Sequence, residues 1–151
     1  MKSLSEAKSI CKEIGYPVLI KAAGGGGGKG LIDFKGLNSK PDKPIVFLAH
    51  GLGGCSESPY KKRLAKKLCK NDFLTARFAH RGSNTDRLRS QKTYHSGSYD
   101  DFKTAINYVE KRWPDRKILV VGYSLSGTIM MNMLIRSHKD DFKRVEKFVS
   151  V

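Results

Sequence analysis

At 151 residues, with 39% hydrophobic and 28% charged positions, the chain has the length and balance of one globular domain with a buried core. No apolar run reaches the ~18–20 residues of a membrane span, and the polar, lysine-bearing start is no export signal, so a cytoplasmic chain without a transmembrane segment is expected. The net charge of +15 permits attraction to nucleic acid or anionic surfaces. However, the bases are spread over residues 61–70, 77–92 and 139–147 with no recognition motif beside them, so nucleic acid is not an expected partner.

Residues 5–14 read as a short amphipathic helix, with Ala7, Ile10, Cys11 and Ile14 on one face, ended by Gly15 and Pro17. Residues 17–23 read as a strand. Five consecutive glycines follow, 24–28, then Lys29-Gly30 and a second extended run, 31–34. A Walker A loop fails here, because Ala23 holds the first glycine position and Gly30 stands where Ser or Thr belongs. A dinucleotide turn fails because a strand rather than a helix comes next. What remains is a glycine flap between two strands, able to close over phosphates through backbone N–H groups and Lys29, or a flexible appendage. The run Ile14-Gly15-Tyr16-Pro17-Val18-Leu19-Ile20-Lys21-Ala22-Ala23 with its glycines and Lys29 resembles the ATP-grasp flap of biotin carboxylases. That resemblance implies phosphate contacts from Lys21, Gly26, Gly27, Gly28 and Lys29. It stops at Gly30, with no metal-binding carboxylates following.

Residues 36–44 are a linker by composition. Ile45-Val46-Phe47-Leu48-Ala49 is the continuous apolar run of a buried parallel strand. It delivers the glycine-rich loop His50-Gly51-Leu52-Gly53-Gly54, in which His50 orders the loop rather than acting as a base. Ser58-Pro59 opens a helix over 60–69, with Leu64, Ala65 and Leu68 inward and the lysines outside. A weaker strand, 73–79, ends at His80-Arg81-Gly82. A basic surface loop, 83–94, and a helix over 98–112 follow. The apolar run 118–121 then leads into Gly122-Tyr123-Ser124-Leu125-Ser126-Gly127 and an apolar helix over 128–135, and a last strand begins at Val145.

Strand, small-residue turn with a central serine, and helix fit a nucleophile elbow. They equally fit a strand-to-helix turn with an N-cap serine. The motifs His50-Gly51-Leu52-Gly53-Gly54, Ser56-Glu57-Ser58-Pro59-Tyr60, Arg81-Gly82, Tyr94-His95-Ser96-Gly97, Asp100-Asp101 and Gly122 to Gly127 together resemble the YheT-type α/β-hydrolases, relatives of the abhydrolase-domain proteins, over residues 44–151. Ser126 departs from that pattern, standing where the family has glycine, and so does Ser83 after Arg81-Gly82.

The resemblance implies an α/β fold: a partial α/β-hydrolase, mostly parallel with flanking helices, preceded by a helix–strand–glycine-loop–strand segment. The boundary falls between residues 1–36 and 37–151. It implies a serine carboxylic-ester hydrolase acting on a small ester or lipid-like substrate without cofactor or metal. Ser124 would be the nucleophile, Leu52 and Leu125 the oxyanion N–H donors, and His50, Gly51, Gly53 and Gly122 the loop-shaping residues. The family's acid and histidine follow the strand beginning at Val145, so the chain reads as truncated, impaired or inactive, and able to self-associate through an open sheet edge. His95 and His138 are the local alternatives as base. The other reading is a non-catalytic basic module that binds nucleotide or polyanion through the glycine loop and lysine clusters.

Overall fold

The computed structural model describes residues 19–20, 31–83, 93–138 and 140–151, with Leu19, Ile20 and Leu31 by backbone alone. The first predicted helix, the glycine run, Lys21 and Lys29 lie outside these residues. Among the described residues six strands form one sheet: β1 (Leu19–Ile20), β2 (Leu31–Lys35), β3 (Ile45–Ala49), β4 (Leu74–Ala79), β5 (Ile118–Gly122) and β6 (Val145–Ser150). Their order is β1-β2-β4-β3-β5-β6. The pairs β4–β3, β3–β5 and β5–β6 are parallel, and β1 and β2 add on antiparallel. The described helices between the parallel strands are α1 (Pro59–Lys70), α2 (Tyr99–Arg112) and α3 (Leu125–Ile135).

The period of two along each strand decides which side each helix covers. Ile45, Phe47 and Ala49 of β3, with Leu74, Ala76 and Phe78 of β4, face α2 and α3, meeting Phe102, Ile106, Val109, Ile129, Met130 and Met133 in the larger core. Val46 and Leu48 point the other way, onto Ala65, Leu64 and Leu68 of α1. Strand β4, read from the sequence as the weaker one, is buried along its whole length. Its polar residues explain the weak signal: Arg77, 1% exposed, is held by Asp33 of β2 and donates to Ser56 C=O at 3.1 Å. That ion pair joins directly opposed residues of β2 and β4. Residues 31–35 therefore share the sheet of the hydrolase-like part.

One surface expectation fails. Lys61, placed on the outside of α1, is fully buried and donates from Nζ to Phe78 C=O at 2.7 Å. Burial pulls its ammonium down to about 7.

From β3 the chain moves outward to β4, then crosses back to β5 on the other side of β3. The reversal opens a crevice at the carboxyl ends of β3 and β5, the place where open α/β sheets bind ligands. Residues 50–54 and 122–127 meet there.

Candidate functional site

Ser124 sits between β5 and α3 with φ 49° and ψ −117°, a conformation that costs a non-glycine residue of order 1–3 kcal/mol. The surroundings impose it. Tyr123 N–H donates to Ala49 C=O at 3.1 Å, Ser124 N–H to Val151 C=O at 2.7 Å, and Val151 N–H to Gly122 C=O at 3.0 Å. The turn is thus pinned from β3 on one side and from the end of β6 on the other. It must also be narrow: a Cβ on Gly122 would lie 2.9 Å from the backbone carbonyl of Ser126. Ser124 itself is exposed.

The loop after β3 lies against this turn. A Cβ on Gly51 would come within 3.0 Å of Ser124 Cβ, so the missing side chain is what lets the loop approach. Two tyrosine hydroxyls hold the loop: Tyr60 Oη accepts from Gly51 N–H at 3.3 Å, and Tyr94 Oη from Gly53 N–H at 3.0 Å. Gly53 has φ +68°, which glycine tolerates. Between them Leu52, 77% exposed, keeps its N–H without an acceptor among the described residues. The same holds for Leu125 N–H at the start of α3, where a helix has no internal partner to offer. The positive end of the α3 dipole adds to it.

Behind this pair of donors lies a closed polar network. Ser126, fully buried, donates its hydroxyl to His50 C=O at 2.5 Å and accepts from His80 Nε2–H at 2.6 Å. The residue that departs from the expected glycine is therefore the link between the two loops. His50 donates Nδ1–H to Gly51 C=O at 2.7 Å and accepts at Nε2 from His80 N–H at 3.2 Å. Ser83 Oγ lies 3.0 Å from the same nitrogen while donating to His80 C=O at 2.7 Å. The His80 ring stacks on Tyr94, centroids 4.7 Å apart, and its Nδ1 is buried with no partner among the described residues. Burial pulls His50 down to about 4, helped by the Lys61 cation. The same cause, with repulsion from His50 and Lys61, pulls His80 down to about 3. Both rings are neutral at pH 7 and committed to the network.

Among the described residues no side chain hydrogen-bonds Ser124 Oγ. His95 is engaged locally: its N–H donates to Ser98 Oγ at 2.9 Å and its Nδ1 accepts from Gly97 N–H at 3.1 Å. His138 donates its backbone N–H to Asp141 at 3.0 Å beyond the end of α3. Arg81, after β4, forms a two-pronged pair with Asp101 in the first turn of α2. No cluster of His, Cys, Asp and Glu among the described residues has the geometry of a metal site. None of their helices is long and apolar enough to cross a membrane. Tyr60, Tyr94, His80 and Ser126 carry the network, and sequence reasoning gave none of them that role. A buried histidine facing a small hydroxyl residue across two loops has no sequence period to betray it.

Comparison with known proteins separates the chain into two stretches. Residues 44–151 match the α/β hydrolase fold family, and residues 1–35 the ATP-binding domain of the carbamoyl-phosphate synthase L chain. Over 116 residues the chain is 32% identical to a monoacylglycerol lipase of Saccharomyces cerevisiae, covering 76% of this chain and 25% of that protein. YheT of Escherichia coli is 29% identical over 98 residues, 65% of this chain and 29% of its own length. The chain thus spans less than a third of these relatives. A further likeness, over 31 residues, is 64% identity to a 2-oxoglutarate carboxylase small subunit of Hydrogenobacter thermophilus, covering 20% of this chain and 7% of that one. Among solved structures, a serine hydrolase homologue from Coxiella burnetii superposes with a TM-score of 0.62 at 23% identity, over 88% of this chain and 60% of that one. A carboxyl esterase from Bacillus coagulans gives 0.64 at 15% identity, over 88% and 42%. At those identities the superpositions speak for the fold.

Proposed function

The chain belongs to the α/β hydrolase fold family, and from that premise we propose that it carries the nucleophile and oxyanion half of a serine carboxylic-ester hydrolase. Ser124 Oγ attacks the acyl carbon, and the Leu52 and Leu125 N–H groups receive the developing oxyanion. The alcohol leaves, and water then cleaves the acyl-serine to free the acid. The observation that carries the reading is Ser124, exposed at positive φ and flanked by two backbone donors that have no acceptor among the described residues. His50, Gly51, Gly53 and Gly122 shape the approach of the two loops, and Ser126 fastens them together.

The proton of Ser124 Oγ has no acceptor among the described residues, and a serine hydroxyl without a base within reach is a poor nucleophile at neutral pH, so slow ester turnover is the expected outcome. A small or lipid-like ester is the substrate class, in line with the named activity of the yeast relative. Labelling by a serine-directed fluorophosphonate, beside a Ser124→Ala control, tests the assignment. Slow labelling confined to Ser124 supports it, and labelling that persists in the control contradicts it.

A further inference from the structure

The site at the carboxyl ends of β3 and β5 leaves the charge of +15 without a purpose. At the opposite end of the sheet, where β2 leaves and β4 begins, lies an open groove of about 1020 Å³. Phe34, Leu37 and Cys69 give it an apolar floor, Leu37 being 43% exposed. Lys35, Arg63, Lys66 and Lys70 stand around it, and none has an acidic partner among the described residues. The carboxylate in the lining, Asp72, is held by Lys40 at 3.5 Å, and a further cation, Lys62, pairs with Glu57 at 3.0 Å.

Helix α1 produces this clustering. At 3.6 residues per turn, positions 62, 63, 66, 69 and 70 fall within about a third of its circumference. Leu64, Ala65 and Leu68 occupy the arc that packs on the sheet. The helix has no acidic residue at all. Like charges three and four apart weaken a helix, and neutralising them with a bound anion removes that cost. Lys67 and Lys70 in the last turn also complement the helix dipole, but Arg63 and Lys66 lie too far from that end to do so. A guanidinium fork beside three ammonium groups, over an apolar floor, suits phosphate oxygens attached to a flat or apolar body.

We propose that this groove binds a small ligand with clustered phosphates, either an inorganic polyphosphate or a nucleoside polyphosphate whose base rests on the floor at Leu37. The site is separate from Ser124 and stands whether or not the chain hydrolyses esters.

Isothermal titration of the 151-residue chain with tripolyphosphate, and separately with ATP, at constant ionic strength tests the proposal. Saturable binding at one site is expected, weakened by about tenfold or more when Arg63→Glu, Lys66→Glu and Lys70→Glu are combined. The combination Lys111→Glu, Lys143→Glu and Lys147→Glu makes the same charge change at exposed positions elsewhere and is expected to weaken binding by less than about twofold. Glutamine at 63, 66 and 70 should give an intermediate loss with an unchanged melt, which keeps the test valid if charge reversal unfolds the chain. Tighter binding of ATP, with the margin lost in Leu37→Asn, supports the groove with a nucleotide as its ligand. Equal affinities support it with free polyphosphate. Equal weakening by the two triple variants, or no saturable heat with either probe, overturns it.

Discussion

The two ends of the same parallel strands are built in opposite ways. At the carboxyl ends Tyr60, Tyr94, His50, His80, Ser83 and Ser126 hold the two loops by hydrogen bonds, and among the described residues the Leu52 and Leu125 N–H groups have no acceptor. At the amino ends four cations surround a groove with no acid to answer them among the described residues. The first end spends its side chains on holding backbone donors still. The second presents solvent-facing charge on long side chains. Fixed donors suit a charge that develops during a reaction, whereas long basic side chains suit a ligand that arrives already charged.

The sharpest way to break this contrast is at Ser124. Ser124→Ala should remove fluorophosphonate labelling entirely while leaving the thermal melt within ~0.5 kcal/mol of the parent, since the residue is exposed and its hydroxyl has no hydrogen-bond partner among the described residues. Next in size is Gly122→Ala, which forces a methyl to within 2.9 Å of backbone atoms. It should cost ~1–3 kcal/mol in urea denaturation and take labelling with it. Ser126→Ala leaves the His50 carbonyl and the His80 imidazole N–H buried without their partner. A loss of ~1–3 kcal/mol is expected, with labelling slowed but not abolished. If Ser126→Gly labels at the parent rate, Ser126 does not fasten the loops.

The buried cation sets a pH signature. Lys61 binds its proton up to about 7 when folded, against an ordinary value of 10.5. The unfolded chain therefore holds more protons between these values, and stability should rise with pH across that window, by at most ~1.4 kcal/mol per unit. Below about 7 the penalty is constant. Lys61→Met should flatten the rise in urea melts taken at successive pH values. On the acid side, His50 and His80 stay neutral to about 4 and about 3, while unfolded histidine takes up protons below 6.5. Stability should fall as pH drops from 6.5, and a flat profile there would contradict the burial of the pair. The smallest effect belongs to the other end of the sheet: charge reversal at Arg63, Lys66 and Lys70 should leave labelling of Ser124 unchanged and stability within ~1 kcal/mol.

The difference between the ends also governs what was legible. Strands β3 and β5, the loop after β3 and the turn at Ser124 were readable because apolar runs and obligatory glycines leave local traces. Helix α3 begins at Leu125 rather than at residue 128, since Ser126 and Gly127 pack inside the turn. The network was not readable: His80 and Ser126 are 46 residues apart and touch only after β4 and β5 have both paired with β3. Lys61 was misplaced for a similar reason. Its helix face is correct for burial, but its type suggests the surface until Phe78 C=O is seen to receive it. The basic arc of α1 was visible as charge, and only the fold shows that it borders a groove.

The most direct test of the central claim is the rate of fluorophosphonate labelling at Ser124 with and without imidazole in the buffer. If the oxyanion donors are in place and only a base is lacking, labelling is slow alone, accelerates with imidazole, and vanishes in Ser124→Ala. Fast labelling that ignores imidazole and falls in His95→Ala or His138→Ala would show a base already at the serine. No labelling even with imidazole would contradict the placement of the donors.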